Sequence, residues 1–165
     1  MHIPELDVLD LQLLKQLQVD CSLNNQVLAE RMNVSPPTCL RRVKRLREAG
    51  LIEREIAVLS ADTVAQVVGH ALTAVVEITL DRQDQLALEA FEQRVLQEDA
   101  VQQCYRVSPG PDFCLVVHAA DMPDYLALTQ RLFTSDANVR NVKTFFSIKR
   151  SKFGAQLPLP VSPKL

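Results

Sequence analysis

The stretch that most constrains this chain runs over residues 35–52: Ser-Pro-Pro-Thr-Cys-Leu-Arg-Arg-Val-Lys-Arg-Leu-Arg-Glu-Ala-Gly-Leu-Ile. It reads as one helix with both ends encoded. Ser35 is placed to cap the first turn with its hydroxyl. Pro36 follows at the first helical position, where a missing N–H costs nothing. Gly50 suits the left-handed residue that closes a helix. At about 100° per residue, Cys39, Leu40, Val43 and Leu46 fall on one side. Pro37, Thr38, Arg41, Arg45 and Glu48 fall on the other, with Arg42 and Lys44 on the flanks. A buried stripe backed by an exposed basic face is what a helix needs to enter a DNA groove.

Charge distribution supports that reading. The chain as a whole carries a net charge of −2. Residues 31–54 nevertheless hold seven Lys/Arg against two acids. Such a local excess on an acidic protein predicts one electropositive surface. Upstream, Leu6, Leu9, Leu13 and Leu17 repeat at helical spacing, and Asp7 and Asp10 suit the positive end of a helix dipole. Residues 25–32 form a short second helix capped by Asn24 or Asn25. Asn33-Val34 then turns the chain into the Ser35 helix, the spacing of a helix-turn-helix. Beyond Gly50, residues 52–58 alternate in part between apolar and polar, as a short strand or wing does. Residues 59–69 lack strong periodicity and are read as a hinge.

From Ala71 the period becomes two. Leu72, Ala74, Val76, Ile78 and Leu80 share one face of a strand. Residues 83–98 return to helical spacing, and 101–107 form a second strand. Ser108-Pro109-Gly110-Pro111 is a turn. Residues 113–119 form a nearly continuous apolar strand, placed centrally in its sheet. A helix over 122–133 and a strand over 139–148 complete the order β-α-β-β-α-β, the ferredoxin-like arrangement. The fold class expected is α+β: an N-terminal winged helix-turn-helix domain (residues 1–58), a hinge (59–69) and a C-terminal ferredoxin-like domain (70–165). The tail, with its prolines, is expected to wrap over a neighbour or fray. Both helices cover one sheet face. The other carries Val75, Tyr105 and Phe145 and calls for a partner, most simply a second copy.

On these residues the chain resembles the leucine-responsive regulator/asparagine-regulator (Lrp/AsnC, feast/famine) family of transcription factors. The first-domain match rests on Leu6-Asp7-x-x-Asp10-x-x-Leu13-Leu14, Leu28-Ala29, the run Val34 to Leu46 and Glu48-Ala49-Gly50-Leu51-Ile52. The second-domain match rests on Asp112 to Leu115, Asp121-Met122-x-Asp124-Tyr125, Val139 to Lys149 and Leu157-Pro158-Leu159. The resemblance implies a DNA-binding helix-turn-helix joined to a domain that forms dimers, which assemble into octamers with a free amino acid bound between dimers.

Two site readings follow. For double-stranded DNA, Arg41, Arg42 and Arg45 are candidates for base edges or phosphates. Ser35, Pro37 and Thr38 sit at the helix start, where hydroxyls and N–H groups hold phosphate. Lys44, Arg47 and Arg54 neutralise backbone. For an amino-acid effector, the resemblance points to Asp112, with Met122, Phe145, Phe146 and Ser147 at further response positions and Ser108 and Gly110 in the same loop as Asp112. A carboxylate can hold an ammonium, loop N–H groups a carboxylate, and Met or Phe an apolar side chain. The family's Gly-x-x-Asp loop reads Pro109-Gly110-Pro111-Asp112 here. The aspartate is kept and the glycine displaced, which leaves the effector open.

No nucleophile elbow, metal cluster or glycine-rich phosphate loop stands in the sequence, so neither enzymatic activity nor a cofactor is expected. Cys21, Cys39, Cys104 and Cys114 form no C-x-x-C pair and are read as small buried hydrophobes. His118, in an apolar strand, is read as a core residue. With no signal pattern and no membrane-length apolar run, the expected location is cytoplasmic and nucleoid-associated. The alternatives are a tetrapyrrole-binding decarboxylase-like enzyme, which shares this two-domain resemblance, and a ligand-independent architectural DNA-binding protein.

Overall fold

The structure is a computed structural model that describes residues 5–69 and 72–161. Ala71, where the sequence begins its first strand, lies outside the described residues. The chain forms two compact units, one of residues 5–58 with 152–161 and one of residues 59–151.

The first unit holds three helices: α1 (Val8–Val19), α2 (Asn25–Arg31) and α3 (Pro36–Glu48). Each is bounded by local chemistry. Asp7 and Asp10 make a reciprocal capping box at the start of α1, stronger than the dipole effect expected of them. The Asn24 carboxamide accepts from the Val27 N–H at 2.9 Å to start α2. Asn33 takes a left-handed φ of 53° to end it, while the Val34 N–H reaches back to the Ala29 carbonyl. Asparagine tolerates that conformation better than most residues. Gly50, at φ 72°, closes α3 in the same way, with Leu51 N–H bonded to Leu46 carbonyl. Leu13, Leu14, Leu28, Ala29, Cys39, Val43 and Leu46 form the core. Burial pushes the Cys39 thiol pKa up.

Two expectations are corrected in this unit. Leu40, placed on the buried stripe of α3, is 55% exposed. Residues 52–58 form no strand, because the other described segments of this unit are helix, turn or irregular chain and none offers a sheet edge. Residues 152–161 of the tail wrap over a neighbour, the first of the two expected outcomes, and belong to this unit although the sequence reading assigned them to the ferredoxin-like domain. The Leu157 N–H donates to Gln18 Oε1, Gln18 Nε2 donates back to the Leu157 carbonyl, and Leu159 packs on the helical core.

The second unit begins with a helix where a hinge was expected, α4 (Ala61–Val68). The Ser60 hydroxyl accepts from the Thr63 N–H to start it. Two turns are too short for helical spacing to stand out in the sequence. The sheet follows: β1 (Leu72–Leu80), β2 (Val101–Arg106), β3 (Phe113–Ala119) and β4 (Val139–Phe146), all antiparallel, ordered β2-β3-β1-β4. Helix α5 (Gln85–Val95) follows β1, and α6 (Met122–Thr129) follows β3, ending in a π-helical turn over Gln130–Thr134.

Ala74, Val76, Ile78 and Leu80 of β1 and Phe113, Leu115 and Val117 of β3 meet Phe91, Val95, Tyr125, Leu128 and Phe133 in one core. On the opposite face Val75, Tyr105 and Phe145 are exposed. His118 is exposed too, not a core residue. Partial burial and the nearby Arg150 charge hold its pKa below the ordinary value.

Candidate nucleic-acid interface

The helix-turn-helix presents α3, and the arginines that residue type selects do not all stand alike on it. Arg42 and Arg45 turn toward α1. Arg42 Nη1 donates to Asp7 Oδ2 at 2.6 Å and to Asp10 Oδ1 at 3.0 Å. Arg45 Nη2 donates to Asp10 Oδ2 at 2.5 Å. Asp10 is fully buried, and the Arg42 side chain is only 21% exposed. Desolvation raises the Asp7 pKa, but the Asp10 N–H and the Arg42 guanidinium outweigh it and leave the carboxyl below its ordinary value. The same pairing raises the pKa of Arg42. Arg42, read from the sequence as a candidate DNA contact, is thus held by two carboxylates within the protein. Residue 42 lies on the flank of α3 nearest α1, where carboxylates wait for it.

The other basic residues are also largely paired. Arg47 Nη2 meets Glu55 Oε1 at 2.5 Å. Lys44 lies 3.7 Å from Glu48 and Arg54 3.8 Å from Glu53, all four well exposed. Exposed pairs of this kind are weak and easily exchanged for phosphate. Among the described residues, Arg41 is the α3 cation with no ion-pair partner. The outer face of α3 thus consists of Pro37, Leu40, Arg41 and Lys44, with Arg45 at its border.

The start of α3 is less rich in donors than a usual helix terminus. Pro36 and Pro37 occupy its first two positions and carry no N–H. The Ser35 hydroxyl does not cap the backbone as expected. It pairs with Thr38 Oγ1 at 2.9 Å, leaving those two hydroxyls and the Thr38 N–H at this end. Asn25 Nδ2 donates to the Pro36 carbonyl at 2.8 Å, tying α2 to the start of α3.

The effector candidates separate into two groups. Ser108, Gly110 and Asp112 precede β3, while Met122 follows it. Seven strand residues span about 20 Å between them. Phe145 and Phe146 pair with Val75 and Ala74 near the start of β1, at the Met122 end. They also alternate. Phe146 stacks edge-on against Tyr125 at 5.1 Å on the helix-covered face, and Phe145 lies on the open face beneath Lys143 Nζ at 4.8 Å. The Ser147 N–H is engaged by the Thr73 carbonyl. One protomer therefore does not gather the set into one pocket. A groove of about 500 Å³ beside α5, lined by Arg82, Leu86, Ala90 and Arg94 among others, contains none of them.

Asp112 also has a structural task. Its Oδ2 accepts from the Leu80 N–H at 2.7 Å and from Gln83 Nε2 at 3.2 Å. This terminates β1, which residue type alone did not reveal. Asp112→Ala should destabilise the second unit by about 1–3 kcal/mol, since it strands a partly buried N–H. Asp112→Asn, which keeps an acceptor, should recover most of that loss. Urea titration followed by amide spectra of the sheet checks both, and an unshifted midpoint for Asp112→Ala would remove the assignment.

Comparison with known proteins agrees with this architecture. Residues 6–53 match the winged helix-turn-helix DNA-binding family model, and residues 73–157 match the Lrp/AsnC ligand binding domain. The chain is 37% identical over 147 residues to an HTH-type transcriptional regulator of Haemophilus influenzae, covering 89% of this chain and 85% of that one. It is 34% identical over 155 residues to the leucine-responsive regulatory protein of Rhizobium meliloti, covering 94% and 97%. A transcriptional regulator of Neisseria meningitidis solved in complex with L-Met superposes with a TM-score of 0.81 at 29% identity, covering 93% and 97%. With both halves matched and nearly full-length relatives at this identity, the chain belongs to the Lrp/AsnC family of transcriptional regulators.

Proposed function

We propose that this protein is a sequence-specific DNA-binding transcriptional regulator that works as a homo-oligomer and responds to a free amino acid. The observation that carries the DNA reading is the outer face of α3. Arg41 stands there beside Lys44 with no ion-pair partner among the described residues, on a helix whose opposite side is locked into a core. Arg41 would read bases, since arginine to guanine is the commonest specific contact. Lys44, Arg54, Ser35 and Thr38 would hold phosphates, Pro37 and Leu40 would supply apolar contact, and Arg45 would act from the border.

The open sheet face supports self-association. Val75, Tyr105 and Phe145 expose apolar surface beside Glu77 and Lys143, which pair at 3.9 Å. A second copy buries such a face symmetrically. In a two-fold dimer the two α3 helices would meet successive major grooves about 34 Å apart.

The division of the effector candidates fits a site completed by two copies. The loop of Ser108, Gly110 and Asp112 would come from one, and Met122, Phe145, Phe146 and Ser147 from another. Asp112 Oδ1 has no partner among the described residues, so the carboxylate can take an ammonium while Oδ2 holds β1.

The test is enrichment of duplexes from a random-sequence library, followed by gel-shift titration across salt concentrations. Enrichment of one motif and a steep fall of affinity with salt are expected. Titration calorimetry of the twenty amino acids against the oligomer should find at least one that binds. No binding by any of them would leave a ligand-independent DNA-binding protein.

A further inference from the structure

Asp10 is fully buried on a helix whose other buried residues are leucines. A buried carboxylate is tolerated only when its lone pairs are met, and here they are. Oδ1 accepts from Arg42 Nη1. Oδ2 accepts from Arg45 Nη2 and from the Asp7 N–H at 3.1 Å. The two arginines nevertheless end differently. Arg42 is held by two carboxylates and mostly covered. Arg45 is held through Nη2 alone and remains 42% exposed. Its Nη1 has no partner among the described residues, and it borders the outer face of α3.

Building on the DNA reading above, we propose that Asp10 is a positioning residue for DNA binding. It clamps one edge of the Arg45 guanidinium so that the other is presented to DNA in a fixed orientation. A guanidinium is a planar fork. Fixing Nη2 on a carboxylate that neither packing nor the capping box lets move leaves Nη1 few directions to point. A free arginine loses its rotamer freedom when it binds, whereas Arg45 has lost most of it on folding. Arg42 and Asp7 complete the arrangement. Two carboxylates and two guanidiniums leave the cluster neutral, so Asp10 steers Arg45 without adding net negative charge to the surface.

If Asp10 only joined α1 to α3, its loss would weaken DNA binding whatever residue stood at position 45. A double-mutant cycle separates the two roles. Full-length wild type, D10N, R45A and D10N/R45A are compared by gel shift on the duplex that wild type enriches from a random library. Amide spectra establish that each variant is folded. D10N should weaken binding by about fivefold or more when Arg45 is present, and by less than about twofold on the R45A background. Equal losses on both backgrounds, or tighter binding by D10N, would overturn the proposal.

A second measurement needs no substitution. Nitrogen-15 spectra of the arginine side chains of the wild-type protein should resolve separate Nη1 and Nη2 signals for Arg45, the mark of a clamped fork. Addition of the duplex should shift Nη1. One averaged Nη signal in the free protein would overturn the clamp. Failure to enrich any duplex would overturn the DNA reading itself, whereas enrichment with a multiplicative cycle removes only the role of Asp10.

Discussion

Arg41→Ala is expected to weaken operator binding by between about thirtyfold and about twenty-thousandfold while leaving the protein folded. A well-formed arginine-to-base contact is worth about 1–3 kcal/mol, and a two-fold dimer loses it twice. The fold should be indifferent, because Arg41 is exposed and has no ion-pair partner among the described residues. Surface changes of that kind stay within about ±0.5 kcal/mol. Arg42→Ala is the informative contrast. It removes the guanidinium that Asp7 and Asp10 share, so thermal stability should fall together with binding. Gel shift and thermal unfolding of the two variants check this. Unchanged affinity for Arg41→Ala would remove it from the interface, and unchanged stability for Arg42→Ala would mean that its pairing contributes nothing.

Phe113→Ala is expected to destabilise the second unit by about 3–5 kcal/mol, the usual loss for a buried aromatic truncated to a methyl group. Phe113 opens β3, is fully buried, and lies 4.8 Å from the Phe91 ring. The Arg106 guanidinium lies over its ring at 5.9 Å. It therefore joins β3 to α5 and closes the end of the core next to Asp112. The chain forms two compact units, so one unfolding midpoint does not describe it. Hydrogen exchange resolved by residue is the appropriate measurement. Protection should fall across β1, β3 and α5 and persist in α1 and α3. A loss below about 1 kcal/mol would place Phe113 outside the core.

Much of the architecture was legible because it is written in local chemistry. Asn24, one of two candidate caps, and Gly50 mark helix ends, and each takes up that position. The alternation from Leu72 to Leu80 specifies a strand buried on one face, and the register bears this out. Sulfur and hydroxyl chemistry was less legible. Cys39 is buried, but Cys21, Cys104 and Cys114 are only partly so. Where the sequence misled, the signal was short or one-sided. Helix α4 has too few residues for its period to register. Residues 52–58 alternate like a strand, but a strand also needs a neighbour. For the tail the sequence left two outcomes open, and hydrogen bonds to Gln18 with Leu159 packing on the helical core decide for wrapping.

The sequence by itself determined that α3 would be an amphipathic helix with arginines off its buried stripe, because periodicity and end signals act within a few residues. Only the tertiary structure decided which of those arginines is free. Asp7 and Asp10 lie more than thirty positions from Arg42 and Arg45, and no local rule couples charges at that separation. Packing α1 on α3 brings them together and leaves Arg41, among the described residues, as the α3 cation with no ion-pair partner. The same holds for the effector candidates. The resemblance groups them as one site, but within one chain strand β3 separates the Asp112 loop from Met122. Side-chain chemistry says what a residue can bind, and chain topology decides what it can reach.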